Sequence, residues 1–197
     1  MLMSVATPAV LADAIPRSAV RNAVLVVAGA VFVGLAAQVA IPLPWTPVPL
    51  TGQTFAVLLT AAALGTWRGV ASMLLYAALG LAGVPWFAGG SSAFDEGVLV
   101  VSFGYVVGFI AAAGLVGYVA ERGATRTALR TAGLMVLGNV VIYAIGATWL
   151  AGALDLTLGR AASLGVQPFL LGDALKVALA AGLFPLAWRA VDRFARD

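Results

Sequence analysis

The chain has 197 residues, 62% of them hydrophobic and 10% charged, with a net charge of +3. A soluble domain carries about 25% charged residues, so this composition describes an integral membrane protein whose apolar runs leave no room for a soluble domain. Cysteine and histidine are both absent, which excludes disulfides and thiolate metal sites and largely excludes zinc hydrolases and histidine relays.

Residues 1–18 are mildly apolar, but Pro8, Asp13 and Pro16 interrupt any helix. They lack the charged start and unbroken apolar core of a signal peptide and read as a short cytoplasmic tail. A single membrane domain is expected over 19–190, with a cytoplasmic tail at 191–197. The first apolar segment runs from about Ala19 to Ile41. Four prolines (Pro42, Pro44, Pro47 and Pro49) then forbid a helix and stiffen the loop to Gly52. A second apolar stretch, Gln53 to Thr66, breaks at Trp67-Arg68-Gly69 and resumes to Gly83. After a loop over 84–97, a fourth span is predicted over Val98–Ala120. A basic linker follows (Glu121–Arg130), then a fifth span (Ala132–Leu154), an outer loop (Asp155–Pro168) and a last span (Phe169–Trp188).

Charge decides whether 53–83 crosses once or twice. With two short crossings, the spans total six and both termini share one side. Arg17, Arg21, Arg68, Arg122, Arg126, Arg130, Arg189, Arg193 and Arg196 then all lie on that side. Of the 11 basic residues, only Arg160 falls outside and Lys176 within the membrane. One long crossing would move the three linker arginines outward. The bias of basic residues toward the cytoplasm favours six spans with both termini cytoplasmic. The predicted fold is therefore an all-α six-transmembrane-helix bundle in the cell membrane, with structured outer loops.

Candidate functional residues concentrate near the outer ends of the spans. Asp173 and Lys176, three apart, share one face of the last span. An ionised side chain at the bilayer centre costs about 2.5–3.5 kcal/mol, so such residues face a cavity, a ligand or each other. Two readings stand: a ligand site, or a structural ion pair locking the bundle. Asn139 and Tyr143, four apart in the fifth span, offer a donor–acceptor pair and a polar-tipped ring, or else interhelical hydrogen bonds. Thr51 could cap the second span, and Gln53 at its first turn would aim a carboxamide inward. Trp86, Phe87, Gly89 and Gly90 form an aromatic turn with room for close backbone approach. Tyr105 lies between Gly104 and Gly108. Ala30 and Gly34 are small residues four apart, a spacing that permits close helix contact. No Walker motif, GxGxxG or HExxH is present.

Taken together, these motifs resemble the BioY family, the biotin-binding S component of energy-coupling-factor (ECF) vitamin transporters. The resemblance spans about 19–190 and rests on Pro47-Val48-Pro49-Leu50-Thr51-Gly52-Gln53-Thr54, Val84-Pro85-Trp86-Phe87-Ala88-Gly89-Gly90, Gly104-Tyr105-Val106-Val107-Gly108-Phe109 and Pro168-Phe169-Leu170-Leu171-Gly172-Asp173-Ala174-Leu175-Lys176. It implies six helices, biotin captured from outside, and energy supplied by a separate transmembrane coupling subunit with two ATPases. It implies no enzyme activity and no cofactor. It also implies that a small-residue face of span one, here Ala30-xxx-Gly34, docks on the coupling subunit. Some relatives carry an arginine near the start of span four, where this chain reads Ser102-Phe103-Gly104. Under this resemblance Asp173 suits the ureido N–H groups, with Asn139 or Gln53 completing that ring's hydrogen bonds. Trp86, Phe87 and Tyr105 would pack the apolar parts, and Lys176 would orient Asp173 or neutralise the carboxylate. Competing readings are an S component for another small vitamin, and a secondary transporter with Asp173 as proton relay.

Overall fold

A computed structural model describes residues 8–16 and 18–194. Among them, seven α-helices run in order: α1 (Ala19–Gln38), α2 (Gln53–Leu64), α3 (Thr66–Leu81), α4 (Phe103–Val119), α5 (Ala128–Ala153), α6 (Leu158–Gly165) and α7 (Leu170–Phe194). Four helical stretches, Ala19–Gln38, Phe103–Ala124, Ala128–Ala153 and Leu158–Arg193, are long and apolar enough to cross a membrane, while α2 is a shorter apolar helix. Side-chain caps open three helices. Ser18, Thr127 and Thr157 accept from the backbone N–H of Arg21, Arg130 and Arg160, each satisfying a donor that has no partner within its helix.

The α2–α3 pair is a hairpin of short helices, as the charge pattern required. The chain reverses at Gly65, whose φ of 84° favours glycine. That break precedes the predicted Trp67-Arg68-Gly69. Gly69 then packs back on Ala61, and at the far end Gln53 Nε2 donates to Tyr76 Oη at 2.8 Å. Glu121 Oε1 accepts from Thr66 N at 2.7 Å, placing a carboxylate at the positive end of α3. Gly108 of α4 lets that helix reach the backbone of α5, since a Cβ there would stand 3.0 Å from the Ile142 carbonyl oxygen.

The connections predicted to lie outside carry more structure than the sequence suggested. The first span ends at Gln38 rather than Ile41, because Ala40–Ile41 (β1) pairs antiparallel with Leu50–Thr51 (β2). Thr46 Oγ1 pins the intervening loop to the Leu164 carbonyl at 2.6 Å. The fourth span begins at Phe103 rather than Val98. Val98–Leu99 (β4) instead pairs with Phe94–Asp95 (β3) across a turn with positive φ at Glu96 and Gly97. The predicted loop Asp155–Pro168 contains α6, and Pro168 lies in a 3₁₀ turn leading directly into α7. α7 itself continues past the predicted Trp188 to Phe194.

At the opposite end, the described part of the predicted tail packs against the bundle. Leu11–Ala14 forms a 3₁₀ turn, and Val10 and Ala12 are buried. Arg21 donates to the Ala12 and Ile15 carbonyls, and Arg126 donates to that of Pro8. Arg68 is only 5% exposed and pairs with Asp13 at 2.8 Å. Trp188 Nε1 donates to Thr125 Oγ1, so both described chain ends lie at this basic face. Residues 1–7, Arg17 and residues 195–197, including Arg196, lie outside the described residues.

One expectation is corrected here. Ala30 and Gly34 do not present a docking face: Ala30 is fully buried, and Gly34 is buried against the Trp86 ring. The face of α1 turned outward instead carries Val20, Val24, Val27, Val31 and Leu35. A Cβ at Gly34 would lie 2.9 Å from Trp86 Cε3. Gly34→Leu is therefore expected to destabilise the fold by about 1–3 kcal/mol through overpacking. Thermal denaturation in detergent checks this, and an unchanged midpoint would contradict the packing.

Candidate functional site

A pocket of about 580 Å³, its open mouth included, lies between the β1–β2 hairpin, the turn at Phe87–Ala88 and the adjoining parts of α2, α4, α5 and α7. Small-molecule sites are mostly apolar with a few fixed polar groups. This one follows that pattern. Phe87, Tyr105, Val106, Phe109 and Phe169 make its apolar wall, with Val48, Pro49 and Leu50 closing the loop side. Tyr143 and Phe169 stack with ring centroids 6.5 Å apart at 11°.

Asp173, 5% exposed, stands at the centre of the polar wall. Its Oδ1 accepts from Lys176 Nζ at 2.9 Å and from Thr54 Oγ1 at 3.3 Å, and its Oδ2 accepts from the Tyr143 hydroxyl. A carboxylate offers about four lone-pair positions, so these three bonds leave one, on a residue that lines the cavity. Lys176 is fully committed. Besides Asp173, its Nζ donates to the Thr51 carbonyl at 2.9 Å and to Thr54 Oγ1 at 2.8 Å, which accounts for all three ammonium protons. The geometry therefore makes Lys176 a brace that ties α7 to the start of α2.

The other predicted residues divide into two groups. Thr51, Gln53, Phe87, Tyr105 and Tyr143 join Asp173 and Lys176 around the pocket. Thr51 does not cap α2 through a regular N-cap; Gly52 holds that position. Its hydroxyl instead accepts from Gln53 N at 3.3 Å and donates to Gln53 Oε1 at 3.0 Å. Gln53 is thus braced from both sides, by Thr51 and Tyr76. The Tyr105 hydroxyl is held by the Gly165 carbonyl at 2.8 Å, so its ring, and not its polar tip, serves the cavity.

Trp86, Gly89, Gly90 and Asn139 lie outside this pocket. Trp86 donates from Nε1 to the Tyr76 carbonyl at 3.1 Å and packs on the Tyr76 ring, a support for the aromatic wall. Gly89 and Gly90 adopt positive φ of 66° and 81°, and so shape the turn after Phe87. Asn139 lines a smaller neighbouring cavity, which shares Thr54 and Lys176 with the main one. Among the lining or supporting residues that the sequence did not single out are three aromatics. Phe109 lies four residues after Tyr105 and shares its helix face, while Phe169 ends the 3₁₀ turn just before α7. Tyr76 becomes visible only once the hairpin reverses at Gly65.

The arrangement is that of a membrane-embedded small-molecule binding protein, with an aromatic cradle and one braced carboxylate. Comparison with known proteins gives the family. The profile of the BioY family matches residues 6–193, and the chain belongs to that family. It is 32% identical over 163 residues to the biotin transporter BioY of Rhizobium etli, covering 77% of this chain and 84% of that one. Against the biotin transporter BioY of Rhodobacter capsulatus, identity is 35% over 170 residues, covering 80% and 87%. With that of Thermotoga maritima it is 35% over 144 residues, covering 72% and 81%. The fold is that of a crystal structure of the S-component for biotin from an ECF-type ABC transporter, with a TM-score of 0.78, 21% identity, and coverage of 88% of this chain and 95% of that one.

Proposed function

We propose that this chain captures biotin at the outer membrane surface and hands it to an energised uptake system. One observation carries the reading: in a BioY-family chain, a braced, nearly buried carboxylate lines an aromatic pocket. The remaining acceptor position of Asp173 suits a ureido N–H, because a charge-assisted bond to a carboxylate is about twice as strong as a neutral one. Phe87, Tyr105, Phe109 and Phe169 would hold the thioether ring and the start of the valerate chain. Lys176 acts by fixing Asp173, and Asn139, Trp86, Gly89 and Gly90 act at a distance from the ligand. Biotin is cargo here, and no resident cofactor or catalysed reaction is required.

In this reading, α1 to α5 and α7 make six crossings. The face gathering Arg21, Arg68, Arg122 and Arg126 is cytoplasmic, and the pocket opens outward. The chain has no phosphate-binding loop, so concentrative uptake needs a transmembrane coupling subunit and ATPases. The relatives' names all concern biotin, which gives neither another vitamin nor proton coupling any support. Titration of the purified protein with biotin tests the proposal: saturable one-site binding is expected, and its absence would end it.

The loops give a second test, made simple by the lack of native cysteine. Pro49→Cys and Ala88→Cys place thiols on the pocket lining. Both should label more slowly when biotin is present, whereas Asp95→Cys, exposed and away from the pocket, should not change. Equal labelling at Pro49 and Ala88 with and without biotin would mean that the ligand sits elsewhere.

A further inference from the structure

The basic end of the bundle holds a second polar cleft, far from the pocket and unused by the proposed function. Asp13, Arg21, Asn22, Trp67, Arg68 and Glu121 line it, and it encloses about 740 Å³ with its open mouth. Arg68 is 95% buried by its 5% exposure, yet its Nε–H has no partner among the described residues. A buried guanidinium N–H left unpaired is costly, and here it belongs to a side chain that lines an open cleft. The first turn of α3 adds a positive helix end at the same place.

Charge balance narrows the ligand. Asp13 is committed to Arg68 at 2.8 Å, and Glu121 Oε1 to Thr66 N at 2.7 Å. Among the described residues, two arginines and two carboxylates balance in the cleft, which does not favour a plain anion. It favours a ligand with one charge of each sign. Trp67 is 55% exposed beside Arg68, whose Cζ lies 5.7 Å from its ring centroid, a position typical of a membrane-interface belt. Exposed Val20 and Val24 continue along α1 from Arg21, offering acyl chains a surface.

We infer that this cleft seats a phosphoethanolamine lipid headgroup, its phosphate against Arg68 and Arg21 and its ammonium toward the free oxygen of Glu121. The site is independent of the biotin pocket and holds whether or not biotin is the cargo. Phosphatidylcholine lacks ammonium protons to donate to Glu121, and phosphatidylglycerol lacks the cation altogether, so the three lipids separate the two halves of the site.

The test uses the full chain, delipidated in detergent, with thermal unfolding followed against added phosphatidylethanolamine, phosphatidylcholine and phosphatidylglycerol of identical acyl chains, and against inorganic phosphate. Phosphatidylethanolamine should act at a concentration about tenfold lower than either other lipid, the order expected from one charge-assisted bond. Glu121→Gln keeps an acceptor for Thr66 N but removes the charge, and should erase the preference for ethanolamine over choline. Arg21→Gln should weaken all three lipids. A cooperative unfolding transition in detergent without added lipid reports that each variant is folded. Equal effects of the three lipids on the wild type, retained preference in Glu121→Gln, or full stabilisation by inorganic phosphate alone would each overturn the assignment.

Discussion

Asp173→Asn is expected to weaken biotin binding by about 30-fold or more while leaving the bundle folded. Losing one partner of a buried, hydrogen-bonded charge costs about 2–5 kcal/mol in binding. The fold should tolerate the change, because an amide oxygen can still accept from Lys176 and Thr54. Its NH₂ group can face the Tyr143 hydroxyl, which accepts as well as donates. What the amide cannot do is present a second acceptor to the cavity. A ligand N–H would meet either a neutral oxygen already in use or another donor. Titration with biotin, alongside a thermal midpoint, checks both halves. Wild-type affinity in Asp173→Asn would make the carboxylate structural and move the site.

The sequence displayed the chemistry of this site better than its shape. Asp173 and Lys176 stood out because ionised side chains are rare in apolar helices, and the structure puts both on the pocket wall. The hairpin over 53–81 was legible through arginine placement, although its turn lies at Gly65 rather than at Trp67-Arg68-Gly69. The turn position depends on backbone conformation, which charge counting does not sense. Trp86 was picked out by its aromatic turn and Asn139 by its spacing from Tyr143, yet one braces Tyr76 and the other lines a neighbouring cavity. The face a helix turns toward its neighbours depends on its rotation in the bundle. In helices apolar on nearly every side, periodicity does not report that rotation. The same ambiguity explains Ala30 and Gly34. Small residues allow close approach by any helix or ring, and here Trp86 of the same chain takes the place next to Gly34. The short strands β1 to β4 escaped notice because two-residue pairs leave no periodic signal.

The reading of Lys176 as a brace makes the last expectation, one that separates it from Asp173. Lys176→Met removes the ammonium while keeping an unbranched side chain of similar length. Three hydrogen bonds disappear, to the Thr51 carbonyl, Thr54 Oγ1 and Asp173 Oδ1. The carboxylate is left nearly buried with only Thr54 and Tyr143 as donors. Removing one partner of a buried ion pair costs about 3–5 kcal/mol, because the other charge stays uncompensated. With the Lys176 side chain 18% exposed, the lower end, about 3 kcal/mol, is expected. The double variant Asp173→Asn/Lys176→Met removes that stranded charge and should recover most of the lost stability. It should not recover biotin binding, since the acceptor for the ligand is gone. Unfolding midpoints and biotin titrations on the wild type, the two single variants and the double variant close this cycle. If the double variant is as unstable as Lys176→Met, the stranded charge is not the cause. If it binds biotin as the wild type does, the pair only locks α7 to α2, and the ligand relies on other groups.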